Sequence, residues 1–285
     1  MALTVPIQVL AVEAFLEACR LPERTVIVRD IIAEMTVREP SFDMVIAKMD
    51  ADKPLAQRLI YLANSAWYAG QVKVDSCASA LTRCGSEDFC ELTIYSAVRQ
   101  ALSEVSDTIW PQLEFAAHFC EFMAQEVDED LAEEAHWAGL FHDYAIPFMA
   151  KNLTDYSYLM PEALGFSPEG TQNEQECYAL DHTLVAASLV RYWGFSEAVA
   201  EAIGSHHRAK KLTEGLSERG AKLAAILMIA KHVEAGGMRR SSSSFQMPSD
   251  SKLIDEAGAA LGLKHAELKE RVTEVCNQVA VRAGG

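Results

Sequence analysis

The chain has 285 residues, with 25 Lys+Arg against 41 Asp+Glu and a formal net charge of −16. Half of the residues are hydrophobic and 23% are charged, which is too much apolar matter for a disordered acidic chain and enough for one large core or two smaller ones. An acidic surface repels phosphate backbones at long range, and the two tight basic clusters, Arg208-Ala-Lys-Lys211 and Arg239-Arg240, are too short to reverse that, so no nucleic-acid partner is expected.

The seven cysteines, Cys19, Cys77, Cys84, Cys90, Cys120, Cys177 and Cys276, are odd in number and form no C-x-x-C pair. Neither a disulfide framework nor a thiolate zinc site is indicated, and a reducing, cytoplasmic location is expected. Glu13 and Glu17 interrupt the apolar N-terminal stretch, which reads as an amphipathic helix and not a signal peptide. The longest charge-free apolar run, Leu223 to Ala230, is far shorter than the ~20 residues that span a bilayer, so no membrane partner is expected.

Nine prolines and fifteen glycines punctuate a sequence whose apolar residues recur every three or four positions, so the fold class is all-α. Helices are predicted over 6–19, 24–36, 41–49, 54–66, 77–84, 86–103, 109–127, 130–142, 144–151, 174–191, 196–206, 217–235, 251–261 and 264–281. Ser41, Ser86, Ser196 and Ser217 are candidate N-caps, with Glu87, Asp88, Glu197 and Glu218 in the first turns that follow. Pro54 suits a first helical turn, and Gly236-Gly237 ends the long helix before it. A polar break at 103–109 and a Ser-rich stretch at 236–251 divide the chain. The expected parts are an N-terminal helical lobe (1–105), a second helical lobe (106–237), a flexible loop (238–250) and a C-terminal helical cap (251–285).

Four of the eight histidines fall into three clusters: His142 with Asp143, His182 with Asp181, and His206 with His207. Imidazole beside carboxylate can bind a divalent metal. A histidine at a helix C-terminus is equally favoured by the helix dipole, which covers His142, His206 and His207 without a metal. Asn64 and Ser65 near a helix end read as caps for backbone groups, and Cys84 and Cys90 as small buried residues.

The run Asp50 to Tyr68, ending Leu62-Ala-Asn64-Ser65-Ala-Trp-Tyr68, resembles the N-terminal signature of the bacterial HDOD domain family. Leu21-Pro22 precedes it, and Ala80-Leu81, Gly85, Trp110, Ala138-Gly-Leu-Phe-His-Asp143, His182, Trp193 and His206-His207 follow in family order over roughly residues 20–235. The resemblance implies a multi-helix fold in which an N-terminal lobe packs on an HD-like lobe. It also implies kinship with HD and HD-GYP metal-dependent phosphohydrolases, and a signalling role in which many members lack catalysis.

Carried over residue by residue, the resemblance leaves the metal site incomplete. His142 and Asp143 supply the His-Asp pair, and His182 with His206 or His207 matches the distal histidines. The first His position is Gln112, and the final Asp position is Lys231. Gln112 is a poor transition-metal ligand, and an ammonium in place of a carboxylate changes the local charge by two units. His118 and His232 lie at other angles on their helices and are not easy substitutes. Lys231 is expected to pair with Asp143 and turn the pocket into a polar strut. These seven positions are thus expected to be vestigial, with no catalytic residue, no cofactor and other signalling proteins as partners in trans. The alternatives are a divalent metal such as Mn, Fe, Ni or Zn on His142, Asp143, His182 and His206 serving a phosphohydrolase, or an anion such as a nucleotide on Lys231 and the distal histidines. Asn64, Ser65, Gly85, Trp110 and Trp193 are expected to be structural.

Overall fold

Every regular element in the computed structural model of the protein is helical, among the residues it describes: 7–18, 24–35, 37, 39–65, 68, 72–101, 109–165, 168–208, 213–235 and 251–284. Leu21-Pro22, Trp67, residues 103–108 of the polar break and the expected loop 238–250 lie outside that set. No helix is long and apolar enough to cross a membrane among the described residues. The described chain packs as two compact units, Met1–Cys19 with Val105–Val279, and Arg20–Glu104 with Ala280–Gly285.

In the smaller unit, α2 (Arg24–Met35), α3 (Phe42–Ala51) and α4 (Lys53–Ala63) pack against the long α5 (Cys77–Ala101). Leu55, Leu59 and Leu62 recur on one face of α4, and Val45 and Met49 on one face of α3; all are buried, as are Phe89 and Leu92 of α5. Asp52 caps α4 by accepting from the Leu55 N–H at 3.2 Å, and Pro54 follows in the first turn. Ser41 occupies the N-cap position of α3 without a side-chain cap bond; its own N–H donates to Glu34 Oε1 at 3.0 Å. Gly85 interrupts α5 with φ 85°, a left-handed conformation that only glycine adopts freely, which is why the sequence reads as two helices there.

In the larger unit, α1 (Ile7–Ala18) packs on α11 (His182–Trp193), and Phe15 meets Phe148 edge-on at 5.7 Å. The same unit holds α6 (Trp110–Val127), a 3-10 turn (Glu129–Leu131), α7 (Ala132–Phe141), α8 (Ala145–Asn152), a second 3-10 turn (Tyr156–Tyr158), the short α9 (Met160–Ala163) and α10 (Pro168–Tyr178). They are followed by α12 (Glu197–Ser205), α13 (Glu218–Ala235), α14 (Ser251–Ala260) and α15 (His265–Gly284). The charge-free run Leu223 to Ala230 is fully buried on every face, which makes α13 the central helix, packed against α6, α7, α12 and α14. Grouping by packing thus runs differently from the sequence division: α1, α14 and α15 as far as Val279 belong to the same unit as α6–α13.

One predicted helix is two. The expected helix over 174–191 breaks after Tyr178, where Ala179 has φ 59°. The break has a chemical cause: Asp181 caps α11, accepting from the Leu184 N–H at 3.0 Å and from the Thr183 hydroxyl at 2.7 Å. Ser196 caps α12 through the Val199 N–H at 3.3 Å, and the Ser217 hydroxyl accepts from the Gly220 N–H at 3.0 Å at the start of α13.

Candidate functional site

Asp143 sits in the turn between α7 and α8. Gly139 lets α7 pack closely on α6 just before that turn, because a Cβ at that position would lie 2.4 Å from the Ala116 carbonyl oxygen of α6. The freed carbonyl of Gly139 near the end of α7 accepts from His142 Nδ1 at 2.7 Å, which fixes that ring. His182 is the first residue of α11, held there by the Asp181 cap. His206 and His207 follow α12, and His206 Nδ1 donates to the Ile203 carbonyl at 2.7 Å. Lys231 comes one residue after the buried run of α13, so the core of the unit carries its ammonium inward.

Six predicted positions converge in this way, and Asp143 is their centre. Its Oδ2 accepts from Lys231 Nζ at 2.5 Å and lies 3.1 Å from His142 Nε2, at an angle that makes no hydrogen bond. Its Oδ1 lies 3.2 Å from His206 Nε2 and 3.5 Å from His182 Nε2. One donor atom from each of Asp143, His182, His206 and His207 falls within 4.8 Å of all the others. The His207 ring is 4.9 Å from His182 and 4.4 Å from His206, and neither of its nitrogens has a hydrogen-bond partner although the residue is only 8% exposed. Lys231 also reaches the Leu164 carbonyl at 3.4 Å and Glu234 at 3.8 Å.

Two residues of this cluster carried no signal in the sequence. Glu174, fully buried on α10, accepts from His182 Nδ1 at 2.7 Å, from the His182 backbone N–H at 3.2 Å and from the Tyr156 hydroxyl. The helix around it is polar enough to read as surface, so nothing in spacing or composition marks Glu174 as an inward-facing carboxylate.

The electrostatics follow from burial and pairing. Burial alone would raise the Asp143 carboxyl, but its interactions with His142 and Lys231 and its contact with His182 hold it well below the usual range. The Lys231 ammonium loses solvation yet is pushed up by Asp143 and then Glu234. Burial would lower His182, but it stands between Glu174 and Asp143 and is pushed up to about 10. His206 is pushed down to about 4 by burial, and His207 is lowered by burial and by the neighbouring His206 and His182.

The other predicted positions lie outside this cluster. Gln112 is half-buried in the first turn of α6, and none of the polar contacts of His142 or Asp143 is to it. His118 pairs with Glu121 at 3.3 Å, and His232 bonds the Met228 carbonyl at 3.0 Å. Trp110 is buried at the start of α6; Trp193 packs on Phe141 and Tyr144 with centroid distances of 5.7 and 5.4 Å. In the smaller unit Asn64 clamps a loop: its amide donates to the Ile60 and Val74 carbonyls at 2.8 and 2.9 Å, and its Oδ1 accepts from the Val74 N–H at 3.1 Å. Ser65 takes part only through its backbone, whose N–H donates to Leu62 at 2.9 Å; its hydroxyl has no partner.

The donors around Asp143 fit a divalent metal on one side only. Three imidazoles and Oδ1 form a borderline-metal donor set, whereas Oδ2 already carries an ammonium.

The HDOD domain profile matches residues 21–209, well over half of the chain, and the protein belongs to the HDOD domain family. Among curated proteins the chain has no match. Among solved structures it is similar to a candidate phosphohydrolase of Shewanella amazonensis (TM-score 0.70, 21% identity, 96% of this chain and 97% of that one). It is also similar to an HDOD domain protein of unknown function from Geobacter sulfurreducens (TM-score 0.66, 19% identity, 96% and 98%). A third neighbour is a candidate signal transduction protein of Marinobacter aquaeolei (TM-score 0.69, 18% identity, 96% and 63%). At these identities the likenesses establish the shared helical fold.

Proposed function

We propose that the protein is a regulatory HDOD module without hydrolytic activity, acting in signal transduction by binding other signalling proteins in trans. The observation that carries this reading is the Lys231 ammonium 2.5 Å from Asp143 Oδ2, both groups buried. HD-type hydrolysis, which the family resemblance brings into question here, uses metal ions to polarise the phosphate and to lower the pKa of the attacking water. An ammonium fixed on the shared carboxylate repels a cation at the same oxygen: at 4 Å and an effective dielectric near 20, each pair of unit charges costs about 4 kcal/mol. His142, Asp143, His182, His206, His207 and Lys231 then serve as a buried polar strut, and Gln112 leaves the first ligand position without a metal donor.

The anion-binding alternative is disfavoured by the same pair, since Lys231 is spent on Asp143 and is 2% exposed. The phosphohydrolase alternative is favoured by the histidine cluster around Oδ1 and disfavoured by the occupied Oδ2. Full-length protein loaded in turn with Mn, Fe, Ni and Zn is expected to hydrolyse neither bis(p-nitrophenyl) phosphate nor a cyclic dinucleotide above the metal blank. Turnover that disappears in His142→Ala and Asp143→Ala would overturn the proposal.

A further inference from the structure

A short helix is marginal by itself in water and is ordinarily held in a protein by the apolar face it buries. α10, with 11 residues, has no such face among its described side chains, Thr171 to Tyr178. Gln172, Gln175, Glu176 and Cys177 are exposed, and the one buried side chain is Glu174, fully withdrawn from water. A carboxylate is thus the anchor of a polar helix.

The anchor is specific. Glu174 Oε2 accepts from His182 Nδ1 at 2.7 Å and from the His182 backbone N–H at 3.2 Å, and Oε1 accepts from the Tyr156 hydroxyl. These three bonds to a carboxylate join α10 to the first residue of α11 and to the 3-10 turn Tyr156–Tyr158. Two further bonds lie nearer the surface: the Tyr178 hydroxyl donates to the Thr154 carbonyl at 2.6 Å, and Gln175 Nε2 to Asp181 Oδ2 at 2.5 Å.

The backbone is strained on both sides of this anchor. Asp155, just before Tyr156, has φ 64°, and Ala179, just after α10, has φ 59°. No other non-glycine residue has a positive φ among the described residues. A residue with a Cβ holds that conformation only where its surroundings enforce it. The Glu174 bonds tie together the segment between these two positions, so breaking them lets both relax.

We infer that α10 is a releasable strap with Glu174 as its latch. The strap lifts about Ala179 while the core of the larger unit stays folded, and lifting uncovers His182 and Tyr156 at the edge of the Asp143 cluster. The catch is all-or-none, because a half-open strap would leave Glu174 buried and unpaired. The two positions give a signalling partner two states to choose between. The inference rests on the regulatory reading for the use of the lifted state, and not for its existence.

Native-state hydrogen exchange, read by mass spectrometry on the full-length protein, tests this. In the wild type the α10 amides are expected to show protection factors at least about tenfold lower than those of α13. Glu174→Gln, which keeps the shape and removes the charge, is expected to lower them at least about tenfold further, and Tyr156→Phe, which removes one donor, by about tenfold, with α13 unchanged in both. Circular dichroism verifies that each variant is folded, and the wild-type comparison decides alone if one is not. Protection of α10 equal to that of α13 in the wild type would overturn the inference. So would α10 exchange indifferent to both variants, or a loss of protection shared equally by α10 and α13. Phosphodiester turnover by the metal-loaded protein would instead overturn the regulatory reading and leave the strap in place.

Discussion

Lys231 and Asp143 form an ion pair almost wholly withdrawn from water, and such a pair is costly to break from one side. Removing a single partner leaves a buried charge uncompensated, at about 3–5 kcal/mol, whereas removing both spares that penalty. Lys231→Met and Asp143→Asn are therefore each expected to destabilise the protein by a few kcal/mol, and the double variant by at least about 2 kcal/mol less than their sum. Urea denaturation of the four proteins gives the cycle; strict additivity would show that the pair is not coupled. At this scale the sequence was informative where chemistry is local. The His-Asp dipeptide, the double histidine and the lysine at a carboxylate position are all visible in one dimension. Glu174 and Tyr156 are not: Glu174 depends on which face of a polar helix turns inward, and Tyr156, in the short 3-10 turn Tyr156–Tyr158, meets it only in the packed unit.

Among the elements, α6 and α7 share a partly buried polar tie. Glu121 Oε2 accepts from His118 Nδ1 at 3.3 Å within α6 and from His136 Nδ1 of α7 at 3.2 Å. Burial would raise the Glu121 carboxyl, but those two bonds hold it well below the ordinary range. A carboxyl depressed in the folded state contributes stability that is present above its unfolded value of ~4.3 and is lost as the pH falls below it. Glu121→Gln is accordingly expected to cost about 2 kcal/mol at pH 7 and progressively less below about pH 4, measured by denaturant melts across that range. A gap that persists unchanged at pH 3 would contradict the assignment. Most helices were legible from periodicity, as was the interruption at Gly85. The break at Ala179 was not, since apolar spacing runs through it and the cap at Asp181 reads in the sequence as part of a possible ligand pair.

For the whole molecule, the apolar content announced a core and its three- and four-residue spacing a helical one, and the run Leu223 to Ala230, too short to span a membrane, proved to be the centre of the larger unit. That placement delivers Lys231 to Asp143. The assignment of α1 to the same unit was invisible in composition, because an amphipathic N-terminal helix does not reveal which partner its Val12 and Phe15 will meet. The net charge of −16 bears on partners more than on fold: it disfavours polyanions, in keeping with the docking to other proteins proposed above.

The central claim is that one oxygen of Asp143 belongs to a lysine where a working phosphohydrolase would have a metal. Anomalous diffraction from crystals of the full chain soaked in Co²⁺ tests it most directly. The account predicts Lys231 Nζ in hydrogen-bonding contact with Oδ2 and no anomalous peak on that oxygen. A metal on Oδ2, with Lys231 swung away from it, would contradict the account.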